Sequence, residues 1–291
     1  RGGGPPPAST VSASSSAAPG GATNAGAEVQ VKVVGVGSAG VDYLASVAAF
    51  PAPDAKLRTD ALEIQGGGNA GNALTTMARL GLRPAILTKL SDDGAGKAIL
   101  DEFTADGVDT CAVVVEPGRS SPMTYIIVDR AGSTRTCIHT PGPAFTPEEM
   151  PRNAIESMLE GAALLYFDGR LTEVALKVAA VAQDMGVPML VEGERVREGL
   201  DELLLLGDYV VTSTDYPKAA TGEEDLEAAM VKLAASLPRA KALVTTLGSR
   251  GAVMLQRVNE WGEAGGGGGK GEKRETLAGL LAKLEEDAAA A

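Results

Sequence analysis

From Val31 onward the chain alternates short apolar runs with stretches of helical spacing. VKVVGVG, PAILTKL, ALLYFDG, VPMLVEG, GDYVVTS and KALVTTLG are runs of apolar residues closed by glycine or polar turn residues. Such runs predict strands buried on both faces. Residues 69–81, 94–107 and 171–186 place their apolar positions at helical spacing, the last ending at Gly186. Strands alternating with helices predict an α/β fold, a central mostly parallel sheet flanked by helices. Three β-rich pieces, near 59–65, 111–117 and 123–139, break this rhythm and predict a small extra sheet beside the main one. No internal repeat is present.

The two ends have another character. Residues 1–28 are Gly-, Pro-, Ser- and Ala-rich, with no acid before Glu28. A segment of that composition cannot bury a core and is expected to be disordered. It reads either as a remnant of a Ser-rich, acid-poor organelle transit peptide or as a plain extension, which leaves cytoplasm and plastid both open. Residues 258–291 read as a Gly-rich linker, WGEAGGGGGKGEKRE, followed by a short amphipathic helix, ETLAGLLAKLEEDAAAA. The expected folded domain is therefore 29–257.

Composition narrows the chemistry. With 44% hydrophobic but only 3% aromatic residues, aliphatic side chains must build the core. A net charge of -12 without a clustered basic face argues against a nucleic-acid partner. No run of 18 apolar residues exists, so no membrane-spanning helix is expected. The chain has two cysteines, Cys111 and Cys137, and one histidine, His139. Zinc sites of the CxxC or HExxH kind are thereby excluded. A Ser/His/Asp triad would need His139, which has no nucleophile elbow near it and is expected to be an ordinary strand or loop residue.

Three glycine-rich stretches carry candidate chemistry. Gly35 to Gly40 is a literal GxGxxG after a strand, with Glu63 placed where a ribose-binding acid would stand, so a dinucleotide site is one alternative. GGGGGKG at 265–271 lacks the first glycine and the final Ser/Thr of a P-loop and reads as linker. QGGGNAGNA at 65–73 admits two readings. Open backbone at Gly66 to Gly68, beside the neutral amides of Asn69 and Asn72, suits ligand hydroxyls, which want both donor and acceptor. A glycine turn with an Asn helix cap is the structural alternative.

The wider sequence resembles the ribokinase-like (PfkB) carbohydrate kinases. GGGNAGNALTTMARLG looks like the first signature of that family, and VVGVGSAGVD like its opening strand with a sugar-contacting acid, Asp42. KLSDDGAGKAILDEFTADGVDT, TYIIVDRAGSTRTCIHTPG and VTTLGSRGAVML resemble, in order, the segment after the signature helix, the lid strands and the T-x-G-x-x-G nucleotide strand. YFDGRLTEVAL and VEGERVREGLDELLLLGDYVVTSTDYPKAATG are similar to the ketohexokinase-like branch. The resemblance covers residues 31 to about 257. It implies a central sheet with a β-lid, near 59–65 and 111–139, and transfer of the γ-phosphoryl of ATP, with Mg2+, to a sugar hydroxyl. Asp42, Gly67, Gly68, Asn69 and Asn72 would hold the sugar; Thr246, Gly248 and Gly251 would line the nucleotide site. A homodimer through the lid is a further expectation.

The chain departs from the family in one decisive place. The D-T-x-G-A-G-D turn, whose last Asp is the catalytic base, does not occur downstream of Val244. Asp92 to Lys97 carries a GAG core but ends in a lysine and precedes the lid strands, so no catalytic residue is assigned. The N-x-x-E positions match Ser213 and Tyr216. Two explanations fit. The chain is a fragment of a kinase, with 258–291 inserted before the missing segment, or it is a non-catalytic kinase-fold protein that acts by binding partners. Either way, residues 1–291 alone are expected to have little or no kinase activity.

Overall fold

The computed structural model describes residues 30–257. The readings of residues 1–28 and 258–291 lie outside the described residues. In chain order the first half contains β1 (Lys32–Val36), β2 (Gly40–Val47), β3 (Ala61–Gly67), α1 (Asn69–Arg79), β4 (Arg83–Leu87), β5 (Lys89–Ser91), α2 (Gly94–Asp106), β6 (Val114–Glu116), β7 (Met123–Asp129) and β8 (Thr134–Thr140). The second half adds α3 (Arg152–Leu159), β9 (Ala162–Phe167), α4 (Thr172–Met185), β10 (Met189–Gly193), α5 (Leu200–Leu206), β11 (Tyr209–Thr212), α6 (Tyr216–Thr221), α7 (Leu226–Ser236), β12 (Ala242–Thr246) and β13 (Ala252–Gln256).

Seven strands form the main sheet, in the order β13-β12-β11-β10-β9-β1-β4. Every neighbouring pair is parallel except β12 with β13. The expected mostly parallel, helix-flanked sheet is therefore present. Period-two alternation sends successive side chains to opposite faces. Val34, Val36, Leu87, Leu165 and Phe167 join the cluster covered by α3, α4 and α5, while Ile86 and Tyr166 join the cluster under α1 and α2. Both faces at the centre of the sheet are buried, which is why these strands read as continuous apolar runs.

The small sheet has the order β3-β2-β7-β8. Two expectations about it need correction. PAILTKL is two strands, not one: β4 ends at Leu87 and β5 leaves the main sheet to pair in parallel with β6. Residues 111–117 therefore contribute β6 to that separate ribbon and not to the small sheet. The small sheet instead takes β2, hidden in the sequence by its glycine-rich start. Register puts Ile64, Tyr43, Tyr125 and Ile138 in one row across a face of this sheet. Ile64, Tyr125 and Ile138 are 61%, 48% and 55% exposed. The Tyr43 and Tyr125 rings lie 5.5 Å apart. The row one residue away, on the opposite face, reads Gln65, Asp42, Thr124, His139.

Candidate functional site

Parallel strands β1, β9, β10, β11 and β12 all deliver their C-terminal ends to one edge of the main sheet. Ligands of open α/β sheets bind outside such an edge. Here the edge carries, strand by strand, Gly37, Asp168, Glu194, Ser213 and Thr246.

Asp42 sits on β2, beside the end of β3. A Cβ at Gly67 would fall 2.4 Å from the Asp42 carboxylate, so only glycine leaves that carboxylate its place. Burial raises the Asp42 pKa, while a hydrogen bond with Thr124 and the nearby His139 and Arg135 act against the rise. His139, expected as an ordinary strand residue, is on β8 and shares the polar row with Asp42; its Nδ1 lies 3.3 Å from Thr124 Oγ1.

Gly68 precedes α1 with φ +86°, a conformation that side chains rarely adopt. The start of α1 is not capped by an asparagine. The Asn69 N–H donates to Ser38 Oγ (3.1 Å), the Gly71 N–H to the Ser38 carbonyl (3.1 Å), and the Ala70 N–H to Asp168 Oδ2 (3.2 Å). With the helix end satisfied from elsewhere, the Asn69 and Asn72 amides make no side-chain hydrogen bond among the described residues and stay available to a ligand. The Asn helix cap of the second reading is therefore not present: the N-cap is Gly68 and no side chain caps it.

Asp168, which sequence reasoning missed, is the clamp of this region. It is 1% exposed and follows β9 directly. Its Oδ2 also accepts from the Ser38 N–H and Ser38 Oγ, each at 2.7 Å, and its Oδ1 from the Arg170 N–H at 3.0 Å. Burial pushes its pKa up, and these donors oppose the push. The available signal was an acid ending an apolar run, in ALLYFDG.

A cavity of about 280 Å³ opens between the end of β3, α1 and α2, over Ile99 and Phe103. Of the expected sugar residues, Gly67 and Asn72 line it and Asp42, Gly68 and Asn69 do not; Gln65, Thr75 and Glu102 add polar groups.

The expected nucleotide residues come together in the β12–β13 connection. Thr246 ends β12 and its Oγ1 donates to the Thr212 carbonyl (3.3 Å), while Thr214 Oγ1 donates to the Thr246 carbonyl (2.6 Å). Gly248 begins a 3-10 turn, closed by the Leu247 N–H donating to the Gly251 carbonyl at 2.7 Å. Added Cβ atoms at Gly248 and Gly251 would meet nothing within 4 Å, so the turn faces open space.

The dinucleotide alternative fails on geometry. Gly35 to Gly40 runs into strand β2, not into a helix, and the helix N-terminus that meets the turn, that of α1, is already occupied by Ser38 and Asp168. A Cβ at Gly37 would lie 2.2–2.4 Å from the Asp168 carboxylate, an anion standing where a pyrophosphate would need space. Asp92 to Lys97 is a helix start: Asp93 accepts from the Gly96 N–H (2.8 Å) and the Ser121 N–H (2.9 Å). Ser213 and Tyr216 are structural. Ser213 Oγ donates to the Glu194 carbonyl (2.8 Å), and Tyr216 is buried against Gly193, its pKa pushed up by burial to about 12. Among the described residues no group of three or more His, Cys, Asp or Glu is placed to hold a metal, and no helix is long and apolar enough to cross a membrane.

The chain is similar to known proteins along most of its described length. The profile of the pfkB family carbohydrate kinases matches residues 30–265. Ribokinase of Haemophilus influenzae is 25% identical over 226 residues, 76% of this chain and 74% of the relative. Mouse ketohexokinase is 25% identical over 195 residues, 64% of this chain and 65% of the relative. The bifunctional ribokinase/ribose-5-phosphate isomerase A of Fructilactobacillus sanfranciscensis is 25% identical over 201 residues, 66% of this chain but only 36% of that protein. In fold, the chain resembles Arabidopsis thaliana ribokinase complexed with ribose and ATP, with TM-score 0.64, 19% identity, and 79% and 76% of the two chains covered. The sheet order, the glycine-lined strand end beside Asp42 and the family match agree: this chain belongs to the pfkB family of carbohydrate kinases.

Proposed function

We propose that this protein serves ATP-dependent phosphoryl transfer to a sugar hydroxyl, and that its described residues supply the sugar and nucleotide sites. The observation that carries the reading is Asp42. Its carboxylate is set against side-chain-free backbone at Gly67, which lines the same cavity as Asn72. A carboxylate accepts hydrogen bonds from two sugar hydroxyls, while Asn69 and Asn72 offer both donors and acceptors. Relatives named ribokinase and ketohexokinase support a sugar as the acceptor. The open turn at Thr246, Gly248 and Gly251 suits a flat adenine-nucleotide surface. Mg2+ would come with the nucleotide, neutralising charge on its phosphate oxygens.

The 291 residues contain no D-T-x-G-A-G-D turn, so they lack the family's base and anion hole, and we read them as a kinase fragment. Loss of a base alone costs roughly 10²- to 10⁴-fold in rate. We also propose that the row Ile64, Tyr43, Tyr125, Ile138, exposed at all but the partly buried Tyr43, pairs two copies through the small sheet, because its apolar residues run across four strands. Calorimetric titration of residues 1–291 with pentoses, ketohexoses and ATP tests the reading, alongside a phosphotransfer assay. Sugar binding abolished by Asp42→Asn, with negligible turnover, is the expected result. Rapid turnover by 1–291 would refute the fragment reading, and absence of any sugar binding would refute the sugar site and favour a kinase-fold protein that acts through partners.

A further inference from the structure

Arg170, Arg195 and Arg197 converge on a single carboxylate, Glu194. Arg170 Nη2 lies 2.5 Å and Arg197 Nη2 3.5 Å from Glu194 Oε2, and Arg195 Nε lies 3.8 Å from Oε1. Three guanidiniums thus share one acid. Arg170 also lies near the buried Asp168; Glu192 and Glu198 are on the same segment, but within ion-pair distance the three guanidiniums meet the one carboxylate of Glu194. Three guanidiniums carry more N–H donors than the one Glu194 carboxylate can accept, so donors are left for another anion.

The place is equally informative. Arg170 follows β9, and Glu194, Arg195 and Arg197 follow β10, its neighbour in the sheet. Both loops leave the ligand-binding edge that also carries Asp168 and Thr246. The cluster is held from three sides. The Arg170 N–H donates to Asp168 Oδ1, Ser213 Oγ after β11 donates to the Glu194 carbonyl, and the ion pairs close the middle. Arg170 and Arg197 are about one-third exposed, so their forks are anchored but reachable, and Arg195 is 78% exposed. Guanidinium forks match phosphate oxygens in geometry as well as charge.

We propose that Arg170, Arg195 and Arg197 form a phosphoryl-group site in which Glu194 holds the guanidinium forks until the anion arrives. The phosphoryl group comes either from the polyphosphate tail of a nucleotide or from a sugar that already carries a phosphate. Only this choice of ligands rests on the kinase reading; the anion site itself does not.

The test is calorimetric titration of residues 1–291 at low salt with inorganic tripolyphosphate, ATP, AMP, ribose 5-phosphate and ribose. The variants are Arg195→Gln/Arg197→Gln, Glu194→Gln, and Arg152→Gln as a control in a remote ion pair with Glu156 and Asp184. Thermal melts accompany each. Tripolyphosphate affinity is expected to fall about tenfold or more in the double variant. It should rise several-fold in Glu194→Gln and stay unchanged in the control. The Glu194→Gln sign is decisive, since a network that only braces the loops would lower the melting temperature and leave anion affinity where it was. ATP binding better than AMP, with the same loss in the double variant, identifies the nucleotide tail. Ribose 5-phosphate binding better than ribose, with that loss, identifies the phosphosugar. Equal tripolyphosphate affinity in wild type and double variant, weaker binding in Glu194→Gln, or no phosphate binding at all would overturn the proposal. Lost sugar binding with retained, arginine-dependent tripolyphosphate binding would sink the kinase reading alone.

Discussion

A methyl group at Gly67 would press on the Asp42 carboxylate at 2.4 Å. The short Asp42 side chain would have to rotate out of its row with Gln65 and Thr124. Gly67→Ala is therefore expected to weaken sugar binding about tenfold, roughly the worth of one charge-assisted hydrogen bond, with little loss of stability. Titration of the variant with the best-bound sugar checks this, and unchanged affinity would remove Asp42 from the site. Asp168→Asn should behave in the opposite way. It turns an acceptor of four hydrogen bonds into a group whose amide N–H₂ confronts the Arg170 N–H or, in the other orientation, the Ser38 and Ala70 N–H donors. Each buried donor left without an acceptor costs about 1–3 kcal/mol, so chemical denaturation should show a clear drop in stability. The first of these residues was legible in the sequence and the second was not. The Gly-Asn run is a local pattern and Asp42 stands out through the family resemblance of its stretch, whereas Asp168 matters only because the fold brings it to Ser38, 130 positions away.

At the scale of elements, β5 shows what a mixed pattern hides. Lys89 lies in an apolar run and is buried, its ammonium bonded to Glu116 of β6, to Glu149 and to the Ala144 carbonyl. Burial lowers its pKa, but the two carboxylates outweigh that and the net shift is upward. In return, the hydrogen bond from Lys89 holds both Glu116 and Glu149 below their ordinary value of 4.5. An acid whose pKa is lower in the folded state stabilises the fold above its unfolded pKa, and that contribution vanishes as pH falls through the folded value. Melting temperature should thus decline below about pH 4.5 as the carboxylates protonate and Lys89 loses its counter-charges. Glu149→Gln should lower the melting point near pH 7 by a few degrees, the shift expected for about 1 kcal/mol, and flatten the acid limb. A variant with the wild-type pH profile would show that the pair does not stabilise the fold. Sequence pattern alone joined β4 and β5 because only Thr88 and Lys89 separate Leu87 from Leu90; the break at Thr88 follows from β6 offering β5 a partner outside the main sheet.

For the molecule as a whole, strand-helix alternation sufficed for the main sheet, since buried parallel strands announce themselves as apolar runs. The small sheet was harder, because β2 opens with glycine and β3 is mostly exposed. Its outward row is the proposed dimer face. Ile64→Lys/Ile138→Lys is expected to turn a dimer into a monomer in sedimentation velocity, without loss of sugar binding. A wild type that sediments as a monomer at all concentrations would exclude that face as a self-contact.

The clamp on α1 also has a dimension in time. Ala70 and the carboxylate that receives its N–H are 98 residues apart. A ribosome adds about 5–20 residues per second, so the glycine-asparagine segment is synthesised roughly 5–20 s before Asp168 exists to fix it. Strand β1 waits longer for β9, its partner on one side, since Lys32 pairs with Ala162. The nascent chain must carry its glycine-asparagine segment uncommitted through that interval. Pulse-labelled intermediates stalled just short of Asp168 should be cut by protease near Gly66 to Gly68, and those released beyond β10 should resist.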